Sequence, residues 1–352
     1  MKTTKKALAI LLTLVFALVL MAGCAQPQQP TAQEQEPAVT PAEQAQSAAS
    51  EPTAQAEAYT VGVIQFGSHP SLDNCFAGVE QALTAAGNVT IDLQNGNFDS
   101  ATCDTIAKNM AAKNYDMIIG IATPAAVSAY AAAANTDIPV VFCAVSDPVA
   151  AGLVDSMEAP GGNCTGTSDV LDFAAQLSLI TTLQPAAKSI GILYTTSEAN
   201  SVSQLAQIKS IASEYGVEIV EQGVQGAADI PQAAATLASK VDCINNFTDN
   251  NVVNNLSILL EQANAAGIPV YGSEEEQVIN GCLASVGIDY IALGNVTGEM
   301  ALSVLAGEDA AAMAVRQITD ATPIVNTDVL AAFGIQLPEA YANASMVKTG
   351  EE

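Results

Sequence analysis

Short apolar runs alternate along this chain with segments whose apolar residues recur three to four apart, and polar turns separate the two. Tyr59–Phe66 (YTVGVIQF), Val89–Gln94, Met117–Ala122 and Ile138–Ala144 read as strands. Apart from the small Gly120, Met117–Ala122 is entirely apolar, the pattern of a strand buried on both faces. Between these runs the spacing predicts helices from about Leu72 to Ala86, from Ser100 or Thr102 to near Lys113, and from Thr123 to about Asn135. Thr123 is expected to cap the third of these, with Pro124 in its first turn. After the Gly161-Gly162-Asn163 turn the pattern starts again. Ser189–Tyr194, Val217–Val220, Val241–Phe247 and Ile268–Tyr271 read as strands. The helix after Ser189–Tyr194 carries Val202, Leu205, Ile208 and Ile211 on one face, and the helix after Phe247 carries Val252, Leu256, Leu259 and Ala263.

Strands that alternate with helices imply right-handed βαβ crossovers and parallel sheets, so the fold class is α/β. Two such halves make two doubly wound lobes, each with its ligand crevice outside the carboxyl ends of its strands. A strand at Leu283–Tyr290 with a helix from about Gly294 to Leu305 would return to the first lobe, and Ile324–Asn326 would go back to the second. That makes a hinge of three crossings. The expected division is a signal peptide over 1–23 and a lipidated cysteine with disordered tether over 24–58. The N-terminal lobe would take 59–167 plus 288–312, and the C-terminal lobe 168–287 plus 313–349.

Composition sharpens this outline. Lys2, Lys5 and Lys6 precede an apolar run, Ala7–Leu20, too short to span a membrane. It ends in Leu20-Met21-Ala22-Gly23-Cys24, which resembles a bacterial lipoprotein signal and marks Cys24 for lipidation. Past that point seven basic residues face 37 acidic ones, a formal charge of 7 minus 37, or −30. A nucleic-acid partner, which needs a basic face, is excluded. Arg316 is the single arginine, so anion recognition falls to helix N-termini rather than to a guanidinium clamp. The other six cysteines (Cys75, Cys103, Cys143, Cys164, Cys243, Cys282) have no metal-site spacing, and His69 is the one histidine. No metal and no cofactor are expected, and the cysteines are read as buried free thiols. With no Gly-x-Ser-x-Gly elbow, phosphate loop or dinucleotide glycine fingerprint, catalysis is not expected either.

The binding candidates are the polar turns at predicted strand ends. They are Phe66 and His69; Thr123 with the backbone of Ala125; Ser146 and Asp147; Ser168 and Asp169. In the second half they are Ser197, Glu198, Asn200 and Ser201; Thr248, Asp249 and Asn250; and Glu274. Each cluster also reads as a helix cap, and their recurrence at strand ends raises the binding reading above capping alone. Hydroxyls and helix N–H groups suit a carboxylate, and Asp249 or Glu274 suits an ammonium group, so a zwitterion fits the set. Phe66, Phe247 and Tyr271 are placed to sandwich an apolar or aromatic side chain.

The stretches VGVIQFGSHPSLD, IIGIATPAA, VVFCAVSDPVAAGLV, GTSD, YTTSEANS, FTDN and ASVGIDYIALGNVTG, in order from Tyr59 to about Leu337, resemble the substrate-binding lipoproteins of an ABC importer family. Some of its members look like tryptophan or tyrosine binders. The resemblance implies a fold similar to type I periplasmic binding proteins, with two lobes that close on a small ligand. It also implies a membrane permease as partner, a lipid anchor outside the membrane, and a monomer. Phe247 stands where the family often has proline, and the acidic run Glu274-Glu275-Glu276 is a second departure. A lipid-tethered sensor or a binder of sugars would need the same clamshell.

Overall fold

In the computed structural model, which describes residues 57–318 and 321–350, the chain lays down β1 (Tyr59–Gln65), β2 (Val89–Asn95), β3 (Met117–Ile121), β4 (Val140–Cys143) and β5 (Cys164–Ser168) as parallel strands. With β11 (Arg316–Gln317) they form one sheet in the order β11-β5-β4-β3-β1-β2. The helices α1 (Pro70–Ala85), α2 (Ser100–Ala112) and α3 (Thr123–Ala133) connect its first strands. α1 packs with α10 (Tyr290–Leu305), and α2 packs with α3, so the sheet is covered on both faces. Val61, Val63, Ile118, Ile119, Val140, Val141 and Phe142 are fully buried in this core. The apolar runs and their double-sided burial follow the expected pattern.

β5 is a strand that periodicity did not indicate. Its residues, CTGTS, are polar or small, yet all five are buried. Thr165 donates to the Met313 carbonyl and Thr167 bonds Thr297, so the hydroxyls are satisfied inside the sheet. Gly166 has φ +156, and a Cβ there would meet the backbone of Phe142. A glycine is needed for that approach.

The second lobe repeats the plan. α4 (Phe173–Leu183) is followed by β6 (Ser189–Thr195), α5 (Ala199–Ile211), β7 (Glu218–Val224), α6 (Ile230–Ala238), β8 (Cys243–Asn245), α7 (Asn250–Asn254), α8 (Leu256–Ala266) and β9 (Val270–Tyr271). The order β7-β6-β8-β9 is again parallel. A second sheet follows from α9 (Glu275–Ile279), β10 (Ala284–Gly287), β12 (Thr322–Asn326), α11 (Thr327–Phe333) and β13 (Ser345–Val347), with β10 and β12 antiparallel. Backbone bonds from Leu283 to Val270 and from Gly272 to Ala284 join it to β9.

The chain passes between lobes three times: after β5, after β10 and after β11. The last passage falls later than the expected boundary at 312. Met313 and Val315 pack on the first core, and Arg316–Gln317 pair with Thr167–Ser168. The predicted Leu283–Tyr290 strand is shorter, ending at Gly287, because Asp289 caps α10 through the Ala292 amide. The six cysteines of the described residues are free and buried. No helix among the described residues is long and apolar enough to cross a membrane. The signal segment, Cys24 and nearly all of the tether lie outside the described residues.

Candidate functional site

Strand ends of both lobes converge on a small cavity of about 10 Å³, room for about one water. It is lined by residues of the first lobe (His69, Leu72, Ala122, Thr123, Ala144, Ser146), the crossings (Asp169, Tyr290) and the second lobe (Asn200, Thr248, Asn250, Glu274). Two of these sit on strained backbone. Ala122 has φ +74 and ψ 155, and Ala144 has φ +56, conformations that disfavour any residue but glycine. They end β3 and β4 and turn the chain sharply into the polar segments that follow. Ala122, not Thr123, is thus the residue before α3, and the Thr123 hydroxyl caps nothing.

Hydrogen bonding divides the predicted residues. Ser146 donates to Asp169 at 2.9 Å and lies 3.4 Å from the Thr248 hydroxyl across the lobe gap. Tyr290 donates to the other Asp169 oxygen at 3.1 Å. Asn200 donates to the Thr248 carbonyl, and Gln204 to the Thr248 hydroxyl. Ser71 donates to Glu274 at 2.8 Å, again from lobe to lobe, and Asn74 donates to Glu276. The His69 ring nitrogens, the Thr123 hydroxyl and the Asn200 carbonyl oxygen are buried with no hydrogen-bond partner in the protein. Buried polar atoms are nearly always paired, so these four make the cavity the candidate site, while the unpaired atoms of Gln204, Asn245 and Asn246 lie outside its lining.

Other predicted residues stand behind the wall. Asp249 caps α7 through the Val252 amide and accepts from the Thr195 and Ser201 hydroxyls, which leaves it no face toward the cavity. Ser201 shares that cluster. Glu198 does not cap its own helix. It accepts from the backbone and side-chain nitrogens of Asn250 and Asn251 at the start of α7. Ser168 donates to the Ser146 carbonyl, Asp147 bonds Ala150 and Ser203, and Ala125 is buried in the first turn of α3. Ser197 is exposed in its turn. None of the three aromatic candidates lines the cavity. Phe66 packs edge-on to Phe98, Phe247 lies against Phe173, and Tyr271 is fully buried with its hydroxyl on Gln184. A strand-end aromatic inside a two-sided core is claimed by that core.

Leu72, Ala122, Ala144 and Tyr290 are lining residues that the polar-turn reading missed. Tyr290 was legible as one more strand-to-helix junction, hidden because the strand before it was drawn too long.

The cavity is electrostatically one-sided. Its lining contains Asp169 and Glu274, no lysine and no arginine. Burial raises the Asp169 pKa, against its bonds from Ser146 and Tyr290. Burial, then the Glu276 charge, pushes Glu274 up to about 8. Burial pushes His69 down to about 4, so its ring is neutral at physiological pH. Arg316 is at the surface beside Glu299. Asp169 is therefore the lining group suited to the positive end of a ligand. The unpartnered Thr123 hydroxyl, at the start of α3, is the donor available to a negative one.

Residues 60–348 match the family described as ABC transporter substrate binding protein. The chain is 36% identical to the tyrosine-binding protein of Clostridioides difficile, over 99% of this chain and 97% of that one. Among solved structures, an ABC domain in complex with L-Trp from Streptococcus pneumonia is 34% identical with a TM-score of 0.80, covering 83% of this chain and all of that one. A substrate-binding protein with adhesive properties from Clostridium difficile, in a ligand-free, open structure, is 40% identical yet has a TM-score of 0.64, over 83% of this chain and 99% of that one. The lower score at higher identity agrees with lobes that already touch here through Ser71–Glu274 and Ser146–Thr248. The chain belongs to the ABC transporter substrate-binding proteins, non-enzymatic binders of small ligands with two α/β lobes.

Proposed function

We propose that this protein captures a free amino acid with an aromatic side chain and delivers it to a membrane permease for import. The observation that carries the reading is the polarity of the cavity. Asp169, held by Ser146 and Tyr290, offers a carboxylate to the ligand's ammonium group. Thr123, at the N-terminus of α3, offers its hydroxyl to the ligand's carboxylate. A zwitterion matches both ends, and a neutral polyol would leave Asp169 without a cationic partner. The relatives described as binding tyrosine and L-Trp support the aromatic part. Side chains from the two lobes meet across the cavity, so an amino acid held there would keep the lobes slightly further apart. Capture is thus a hinge closure around the ligand. Cys24, outside the described residues, would carry the lipid that keeps the protein at the outer face of the membrane as a monomer. A thermal-shift screen over amino acids, sugars and polyols tests this. A ligand at 100 times its Kd should stabilise by about 2.7 kcal/mol. If a sugar or polyol stabilises and no amino acid does, the reading is wrong.

A further inference from the structure

Beside the small cavity lies a second hollow of about 540 Å³ between the start of α1 and the helices α7, α8 and α9. Pro70, Val253, Leu256 and Leu260 supply its apolar wall. Only two residues line both spaces, His69 from the first lobe and Glu274 from the second. A ligand whose charged head sits against Asp169 and Thr123 would extend between these two to reach the larger hollow. His69 is buried, with its ring nearly parallel to Phe98 (centroids 6.3 Å apart, planes at 13°), so packing holds the ring in place. Neither nitrogen completes a well-formed hydrogen bond in the protein, and Asn250 of the second lobe is the side chain within reach of the ring.

Building on the amino-acid reading above, we infer that His69, facing Glu274, is the specificity-determining residue that recognises a neutral hydrogen-bonding group on the ligand's aromatic side chain. A phenol hydroxyl or an indole N–H would satisfy it, and a bare phenyl ring would not. The state of the junction suits a neutral group. The His69 ring is uncharged, with one N–H donor and one nitrogen acceptor. The Glu274 carboxyl, pushed up to about 8, holds its proton at neutral pH. Neither one offers a net charge, whereas Asp169, elsewhere on the cavity wall, is placed for the ligand's ammonium. An unpaired ring nitrogen is costly in a buried site, so discrimination follows from leaving it unsatisfied.

Calorimetric titration of L-Tyr, L-Trp and L-Phe into the wild-type protein and His69→Phe tests this. The phenylalanine ring can stack on Phe98 but cannot hydrogen-bond, and a melting curve for each variant reports folding. The wild type should bind L-Tyr or L-Trp about 10- to 100-fold more tightly than L-Phe. In His69→Phe that ratio should fall to within about threefold, and His69→Gln, which keeps a donor and an acceptor, should restore part of it. A wild type that binds L-Phe as well as the other two overturns the inference, as does a folded His69→Phe that keeps the full ratio. Either result leaves the amino-acid reading standing. Binding of a sugar and of none of the three amino acids overturns both. If His69→Phe does not fold, His69→Ala decides: a folded His69→Ala that keeps the full ratio overturns the inference.

Discussion

Asp169 and Asp249 are both buried carboxyl groups at strand ends, and the structure gives them opposite work. Asp169 faces the cavity with two donors, Ser146 and Tyr290, while Asp249 accepts from four groups that belong to its own lobe. Asp169→Asn should therefore weaken amino-acid binding by about 2 kcal/mol or more, roughly 30-fold, with little loss of stability. Asp249→Ala should do the reverse, lowering stability by about 1–3 kcal/mol through a lost cap and stranded hydroxyls. Calorimetry and urea denaturation on the two variants separate the roles, and an Asp169→Asn protein with wild-type affinity would remove Asp169 from the site. From the sequence the two were indistinguishable, because an aspartate at the start of a helix reads alike whether it caps that helix or faces a ligand. The polar turns at His69, Thr123, Ser146, Asp169, Asn200, Thr248, Asn250 and Glu274 were legible from position alone. The strained alanines were not, since nothing in a sequence marks Ala122 as φ +74. Ala122→Gly should relieve that strain and raise the melting temperature, and a melting curve below wild type would mean the methyl contributes more by packing than the backbone loses.

At the scale of elements, strands buried on both faces announced themselves and partly polar ones did not. β3 and β4 are apolar throughout and were placed within a residue or two, while β5 is a run of threonines, cysteine and serine whose burial depends on neighbours far along the chain. Thr165 needs Met313 and Thr167 needs Thr297, so no local pattern can report that they are inside. The α1–α10 pair has the same character. Gly78, Gly294 and Gly298 lie where the two helices touch, and a Cβ at Gly294 would meet the Cys75 carbonyl. The close approach allows tight backbone packing, and it leaves no room for even one methyl. Gly294→Ala should cost about 1–3 kcal/mol in urea denaturation, an overpacking effect. An unchanged midpoint would mean that the helices slide apart without loss.

For the molecule as a whole, burial of acidic side chains sets a pH dependence of folding. Glu198 is pushed up to about 8, by burial first and then by the Asp249 charge, and Glu274 also reaches about 8. Between an ordinary carboxyl value of about 4.3 and pH 8, the folded protein keeps protons that the unfolded chain releases. Stability from these groups is present at low pH and is lost as pH rises through that window. His69, pushed down to about 4, acts oppositely up to about pH 6.5, where an unfolded histidine loses its proton. From about pH 6.5 to 8 the glutamates are unopposed by it, so the urea midpoint should fall across that range and Glu274→Gln should flatten the slope. A wild-type midpoint that stays level would show that Glu274 is ionised when buried. The contact between α1 and α10 carries one more consequence, for the order in which the protein is made. Ribosomes deliver β1 to β5 first, but the helix that covers α1 comes from Tyr290–Leu305, and the strand that closes the edge at β5 comes later still. Until most of the chain has emerged, the side of α1 that carries Gly78 and Ala82 lacks the helix it packs against. A chain that ends before Tyr290 therefore carries an unfinished first lobe, with α1 bare along the side that α10 covers.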